Sequence, residues 1–142
     1  MTTGLRKSEA LTLKWENVDW TKKTFTAIET KNKSNHIVPM SSTTEWIMKE
    51  QKKVANNSPF VFPSERTGTH MTEPKSQLER IRKATGLNFR FHDLRACAIT
   101  NLFLKGWSVA EVSVVSGHKT WAELKRYTRI KPIQLVEKIN KI

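Results

Sequence analysis

Hydrophobic residues recur along the chain with two different periods, which divide it into a strand-rich start and a helical remainder. A short helical pattern runs from Glu9 to Trp15. Three stretches rich in β-branched and aromatic residues follow, separated by polar turns. They are residues 18–20, 24–30 and 36–40. Three strand-like stretches joined by short polar turns predict a small antiparallel meander of three strands.

Capping boxes mark three helix starts in the second part. In this arrangement a Ser or Thr and a Glu three residues later satisfy backbone donors at both ends of the first turn. The boxes are Ser42-Thr43-Thr44-Glu45, Ser108-Val109-Ala110-Glu111 and Thr120-Trp121-Ala122-Glu123. We expect the first helix to run to about Val54 and the other two to be short.

Proline and glycine mark the remaining helices. Pro74 suits a first helical position and Gly86 suits a C-terminal cap, while Pro132 opens a final amphipathic helix. From His92 to Gly106 apolar residues recur at helical spacing, which predicts a buried helix. The sum is an α+β, mainly α domain with one small three-stranded antiparallel sheet.

The chain of 142 residues fits a single domain, residues 1–142, with one core. No apolar run approaches the roughly 20 residues needed to span a bilayer, and no signal peptide is recognisable. We therefore expect an intracellular protein. The absence of such an apolar run also predicts no membrane association. The four His and one Cys lack any metal-binding spacing, so we predict no structural metal. Cys97, within an apolar stretch, and the five Trp are expected to be core or core-edge residues.

Charge points to a polyanionic partner. The sequence holds 25 Lys and Arg against 13 Asp and Glu, a net charge of +12. Such an excess is typical of nucleic-acid-binding proteins, although basic ribosomal or membrane-surface proteins would carry a similar one. Lys22 and Lys23, in the first predicted turn, either contact DNA or solvate the hairpin.

Four short motifs and a tyrosine occur in a fixed order. They are Thr3 to Leu11 with Arg6, Thr30-Lys31-Asn32 leading to Val38-Pro39, His92-Asp93-Leu94-Arg95, Ser116-Gly117-His118-Lys119, and Tyr127 nine positions after His118. In residue type, order and spacing they resemble the tyrosine recombinase, or phage integrase, family over nearly the whole chain. The resemblance implies the tyrosine-recombinase catalytic-domain fold. Lys33 lies two residues from Lys31, so the choice of lysine depends on counting back from Pro39.

The chemistry of the set is intelligible from the residue types. A phenol with a pKa near 10 is a poor nucleophile at neutral pH unless a neighbour accepts its proton and positive charge stabilises the transition state. Arg6 and Arg95 carry planar, permanently charged groups that fit phosphate oxygens in a bidentate way. Tyr127 is therefore the candidate nucleophile toward a DNA phosphodiester.

The resemblance supplies the remaining roles. It implies that His118 donates to the phosphate, that His92 assists proton transfer from Tyr127, and that Lys31 protonates the departing 5′ oxygen. A 3′-phosphotyrosyl link retains the phosphodiester energy, so rejoining needs neither ATP nor a metal, and we expect no cofactor. Lys33 and Lys119 join Lys22 and Lys23 as candidate DNA contacts.

The same resemblance implies double-stranded DNA as partner, a tetramer on DNA, and a bacterial or phage-encoded protein in the cytoplasm beside the nucleoid. Two alternatives stay open: a type IB topoisomerase, which shares the chemistry, and a fragment that binds DNA or partner subunits without cutting. The second arises because the sequence starts at the Arg6 motif, so we expect the N-terminal core-binding domain to be absent. The tail from Ile133 to Ile142 is expected to pack in cis or on a neighbouring protomer.

Overall fold

A small sheet at one end and a set of helices behind it form the fold. The structure, a computed structural model, describes residues 3–28, 35–128 and 132–140. Its strands are β1 (Val18–Asp19), β2 (Thr24–Ile28) and β3 (Asn35–Pro39), and its helices are α1 (Lys7–Leu11), α2 (Ser42–Val54), α3 (Lys75–Thr85), α4 (Phe91–Leu104), α5 (Val109–Ser116), α6 (Trp121–Leu124) and α7 (Val136–Ile139). Single 3-10 turns lie at Trp15–Asn17, Lys125–Tyr127 and Pro132–Leu135.

The three strands pair in sequence order, all antiparallel, which confirms the predicted meander. Successive residues of a strand face opposite sides of the sheet, so every second residue shares a face. Phe25 and Ala27 of β2 and Val38 of β3 therefore share one face, and all three are at most 1% exposed. This face packs on a core that includes Leu13 and Met48.

The second hydrophobic cluster is helical and holds the C-terminal tyrosine. Ile99 and Phe103 of α4 pack with Val112 of α5, with Leu124 and with Tyr127. Ile99 and Phe103 are four residues apart, and such positions lie on the same face of a helix. Tyr127 thus belongs to the fold's core as well as to the site described below.

The helix starts follow the capping rules at some positions and depart from them at others. Ser108 and Thr120 cap α5 and α6 with reciprocal bonds from Glu111 and Glu123, as predicted. The capping box predicted at Ser42 is wrong by one residue. Ser41 is the cap, with its Oγ accepting from the Thr44 amide at 3.1 Å.

The glutamate expected in that first box has other partners. Glu45 lies 3.1 Å from the Lys23 amine and 2.7 Å from the Lys49 amine, so its carboxylate is neutralised by ion pairs rather than by a backbone amide. The prediction for Pro74 is wrong by one position, because Pro74 caps α3 instead of starting it. Gly86 caps the end of α3 as predicted, in the left-handed conformation at φ +69°.

Two expectations about burial are wrong. Cys97 is exposed, because α4 turns the face of Arg95, Ala98 and Ile99 inward and leaves the cysteine between them outside. Trp46 is 63% exposed because the inward face of α2 carries Thr44 and Met48 on either side of it, and Trp121 is 51% exposed. Across the described residues no helix is long and apolar enough to cross a membrane.

Candidate active site

One cleft brings together most of the residues singled out by the motifs. It has a volume of about 630 Å³ and lies between α1, the start of α4 and the segment from His118 to Tyr127. Its lining includes Arg6, His92, Arg95, His118 and Tyr127. We call Arg95, His118 and Tyr127, together with the buried Ser116 that contacts the first two, the inner wall, and we call Lys7, Glu73, Arg90 and His92 the mouth.

Arg95 is the anchor of the inner wall. Its side chain is 4% exposed, and its Nη1 and Nη2 groups donate to the carbonyls of Gly4 at 2.6 Å and of Ser116 at 3.0 Å. Those carbonyls come from the segment before α1 and from the end of α5, so one guanidinium ties two distant parts of the chain. Burial, together with the charge of Arg6, lowers the pKa of Arg95, while Glu9 and Tyr127 oppose that change.

Arg6, the residue immediately before α1, lines the cleft, and Glu9 holds its side chain in place. The Arg6 Nη1 group lies 2.7 Å from Glu9 Oε1, and the Arg6 amide donates to Glu9 Oε2 at 2.8 Å. The Glu9 side chain is 1% exposed and its Oε2 is also 3.9 Å from Arg95 Nη1. One buried carboxylate therefore sets the spacing of two arginines whose charges would otherwise repel.

His118 lies beside Arg95, two residues after the end of α5. Its Nε2 is 3.1 Å from Arg95 Nη2, and its Nδ1 is 2.7 Å from the Ser116 hydroxyl. Burial first, and the charge of Arg95 second, lower the pKa of His118 to about 4. The imidazole is thus neutral at physiological pH.

Gly117 explains how the chain turns into this position. It ends α5 with φ +70°, a conformation that glycine adopts without strain. A Cβ on Gly117 would lie 2.7 Å from the His36 ring of β3, so the sheet also packs directly against this turn. Both features require glycine immediately before His118.

Tyr127 closes the inner wall. It lies in the 3-10 turn after α6, is 7% exposed, and its ring centroid is 5.6 Å from that of His118 with the planes tilted by 58°. Its ring packs on Ile99 and Phe103, whereas its phenol interacts with the Arg95 guanidinium. The hydroxyl therefore lies at Arg95, and the ring lies beside that of His118.

The mouth is open and ionic. His92 lies in the first turn of α4 and is exposed, and Arg90 caps that helix with its side chain 81% exposed and paired with Asp93 at 3.2 Å. Across the opening, the Lys7 amine lies 2.6 Å from Glu73. Side chains of this kind line the entry without being fixed by packing.

The lysines that the sequence singled out fall into three groups according to where they lie. Lys31 and Lys33 lie outside the described residues, between the end of β2 at Ile28 and the start of β3 at Asn35. Lys22 and Lys23 lie in the β1–β2 turn and are engaged in ion pairs, with Asp19 at 3.5 Å and with Glu45 at 3.1 Å. Lys119 is exposed beside the inner wall.

Sequence reasoning missed two residues of the site. Glu9 could have been found from its position three residues after Arg6, the spacing of a residue that reaches back to a helix cap. Ser116, fully buried, stood in the motif of His118 without a role, and its bond to Arg95, 21 residues away, has no local signal. Among the described residues there is no group of three His, Cys, Asp or Glu side chains arranged to hold a metal.

Recombinases match this chain in sequence over nearly its whole length. The shufflon-specific DNA recombinase of Escherichia coli is 28% identical over 97% of this chain and 35% of its own length. Tyrosine recombinase XerA of Pyrococcus horikoshii is 27% identical over 97% of this chain and 50% of its own length. This chain thus spans half or less of these two relatives.

Solved structures show the same fold. The crystal structure of XerA recombinase aligns with a TM-score of 0.75 and 21% identity, covering 99% of this chain and 54% of that one. The XerH site-specific recombinase, bound to a palindromic difH substrate in a post-cleavage complex, aligns with a TM-score of 0.75 and 24% identity over 96% of this chain and 42% of that one. The model of the phage integrase family matches residues 1–132. By this match over most of its length, the chain belongs to the phage integrase family.

Proposed function

We propose that residues 1–142 are the catalytic domain of a site-specific tyrosine recombinase that cleaves and rejoins double-stranded DNA through a 3′-phosphotyrosyl link to Tyr127. The observation that carries this proposal is the shared cleft of Arg6, Arg95, His118 and Tyr127. Membership of the phage integrase family supports it.

In the proposed cleavage step, the Tyr127 oxygen forms a bond to the phosphorus while the bond from phosphorus to the 5′ oxygen breaks. Arg6 and Arg95 stabilise the negative charge that builds up on the non-bridging oxygens, and preorganised donors of this type contribute about 10²- to 10³-fold each. Their fixed spacing around Glu9 favours binding one phosphate between them. Rejoining reverses these bond changes with a 5′ hydroxyl of another strand.

Two proton transfers complete the step. The phenol proton of Tyr127 passes to His92, whose position in the cleft and exposure to solvent suit a group that exchanges protons. Lys31 delivers a proton to the departing 5′ oxygen. His118, neutral because burial lowers its pKa to about 4, acts as a hydrogen-bond donor to the phosphate and not as a proton acceptor.

Duplex DNA is the proposed partner. The net charge of +12, the cations Arg82, Arg90 and Arg126 along the cleft, and the DNA substrate of the XerH complex support this inference. Lys33 and Lys119 are proposed phosphate contacts. Lys22 and Lys23 would have to exchange Asp19 and Glu45 for phosphate. Assembly into a tetramer on DNA, in the cytoplasm beside the nucleoid, follows from the family resemblance.

The test is covalent trapping on nicked duplexes that tile the DNA flanking the encoding gene. A nick near the cleavage site releases the 5′ end and prevents rejoining, so the wild-type chain should accumulate a covalent adduct on a denaturing gel, and Tyr127→Phe should give none. An adduct of equal yield from Tyr127→Phe would overturn the proposal.

The same assay separates the alternatives. Retarded migration on a native gel without any adduct would identify a DNA-binding chain that does not cut. Relaxation of supercoiled plasmid without a specific site would identify topoisomerase activity, to which the two relatives described above, both recombinases, give no support.

A further inference from the structure

Ser116 contacts both Arg95 and His118 of the inner wall, although none of the motif arguments gave it a role. The residue is fully buried. Its carbonyl accepts from Arg95 Nη2 at 3.0 Å, and its Oγ lies 2.7 Å from His118 Nδ1 and 2.7 Å from the Val112 carbonyl. A single hydroxyl thus has two partners at hydrogen-bond distance.

Hydrogen counting fixes the direction of these bonds in the DNA-free protein. The Ser116 hydroxyl has one hydrogen and the Val112 carbonyl can only accept, so that hydrogen goes to Val112 at 2.7 Å. The Ser116 oxygen must then accept from His118 Nδ1 at 2.7 Å, which places the proton of a neutral imidazole on Nδ1. Arg95 Nη2, 3.1 Å from Nε2 and 3.4 Å from Nδ1, lies over the face of the ring and selects neither nitrogen.

The opposite tautomer fails this count. With the proton on Nε2, the hydroxyl would have to donate to Nδ1, and its 2.7 Å contact with the Val112 carbonyl would contain no hydrogen. The chain of bonds from His118 through Ser116 to Val112 satisfies every member.

We infer that Ser116 is a positioning residue that holds His118 as the Nδ1–H tautomer in the DNA-free protein and reverses its hydroxyl when a phosphate binds. This inference rests on the proposed function for its second half only. With a phosphate oxygen beside Nε2, the hydroxyl turns from Val112 to donate to Nδ1. The ring proton then resides on Nε2, where it donates to a phosphate oxygen.

A hydroxyl is the group that this exchange needs, because it both donates and accepts. Alanine at position 116 removes one oxygen from a fully buried site and leaves Nδ1 without a partner in either state. An unpaired buried acceptor in the DNA-bound state lowers the cleavage rate by about 10- to 100-fold. Arg95 keeps its bond to the backbone carbonyl of residue 116, so its position does not depend on the hydroxyl.

The first experiment reads the tautomer directly and needs no DNA. Long-range ¹H–¹⁵N correlation spectra of ¹⁵N-histidine protein at pH 7, with His118 assigned by its loss in His118→Gln, should show a protonated Nδ1 and an unprotonated Nε2. In Ser116→Ala the Nδ1–H population should fall. A protonated Nε2 in the wild-type protein, or a tautomer unchanged in Ser116→Ala, would overturn the inference.

The second experiment measures cleavage with a matched control. Ser113 lies on the same helix and its hydroxyl donates to the Ala110 carbonyl at 2.7 Å, but it does not contact His118. Adduct formation on the nicked duplex should slow about 10- to 100-fold in Ser116→Ala and stay at the wild-type rate in Ser113→Ala. Equal rates in both variants would show that the Ser116 hydroxyl has no role in cleavage. Absence of any adduct in the wild type would instead defeat the proposed function and leave the tautomer measurement standing.

Discussion

The inner wall and the mouth of the cleft hold similar residue types in opposite ways. Arg95 is bound by two backbone carbonyls and is 4% exposed, whereas Arg90 is bound by one surface carboxylate and is 81% exposed. His118 is wedged between Arg95 and Ser116, whereas His92 lies open to solvent. Residues of the inner wall therefore stabilise the fold as well as lining the cleft, whereas residues of the mouth line the cleft and contribute little to stability.

The strongest test of this difference is removal of the two arginines in turn. Arg95→Ala leaves the carbonyls of Gly4 and Ser116 without donors, so the free energy of unfolding should fall by about 2 to 6 kcal/mol, at about 1 to 3 kcal/mol for each buried group. Arg90→Ala should change it by less than about 0.5 kcal/mol. Chemical denaturation measures both, and equal stabilities would contradict the comparison.

Gly117 tests the packing that places His118. Gly117→Ala and Gly86→Ala introduce similar backbone strain, at φ +70° and φ +69°, of about 1 to 3 kcal/mol. Only at Gly117 does the new Cβ also meet the His36 ring, at 2.7 Å, which adds about 1 to 3 kcal/mol of overpacking.

Gly117→Ala and Gly86→Ala should differ in adduct formation as well as in stability. Gly117→Ala displaces the His118 turn and should lower adduct formation, whereas Gly86→Ala, at the end of α3 with no heavy atom within 4 Å of its new Cβ, should not. Thermal unfolding and the nicked-duplex assay read the two effects separately. Matching losses in both variants would show that the His36 contact is unimportant.

A smaller effect is expected from pH. The pKa of His118 is about 4 in the folded protein and near 6.5 in the unfolded chain, which therefore takes up the proton first as the pH falls. The stability that depends on neutral His118 is complete above pH 6.5 and is lost as the pH approaches 4. Unfolding free energies measured between pH 7 and 4.5 should fall more steeply in the wild type than in His118→Gln; parallel curves would contradict the burial of His118.

The smallest effect on stability is expected at the mouth. His92→Gln should leave the free energy of unfolding within about 0.5 kcal/mol of the wild type, because the side chain is exposed. Its adduct formation should nevertheless fall by about 10²-fold or more if His92 transfers the phenol proton. A loss of stability comparable to that of Arg95→Ala would place His92 in the core instead.

Local signals predicted local structure well. The capping boxes at Ser108 and Thr120, the αL cap at Gly86 and the three-stranded meander all depend on neighbours within a few residues or on strict alternation. Exposure of Trp46 and Cys97 was missed because residue type was given more weight than helix face. In each case the inward positions three and four residues apart determine the outcome.

The site itself was predicted through its motifs, and its internal connections were not. Order and spacing identified Arg6, Arg95, His118 and Tyr127, which line one cleft. The bond from Arg95 to the Gly4 carbonyl joins residues 91 positions apart, and no period or spacing reports such a contact. The contact of Arg95 with His118, 23 positions away, is of the same kind.

The central claim is that Tyr127 forms the covalent link to DNA, and mapping the linked residue tests it most directly. The chain has one tyrosine, so an adduct trapped on the nicked duplex, digested with protease and nuclease, should give one nucleotide-bearing peptide by mass spectrometry. The expected result is a 3′-phosphonucleotide on Tyr127 and a free 5′ hydroxyl on the released strand. A nucleotide carried by any other residue, or a 5′ phosphate on the released strand, would contradict it.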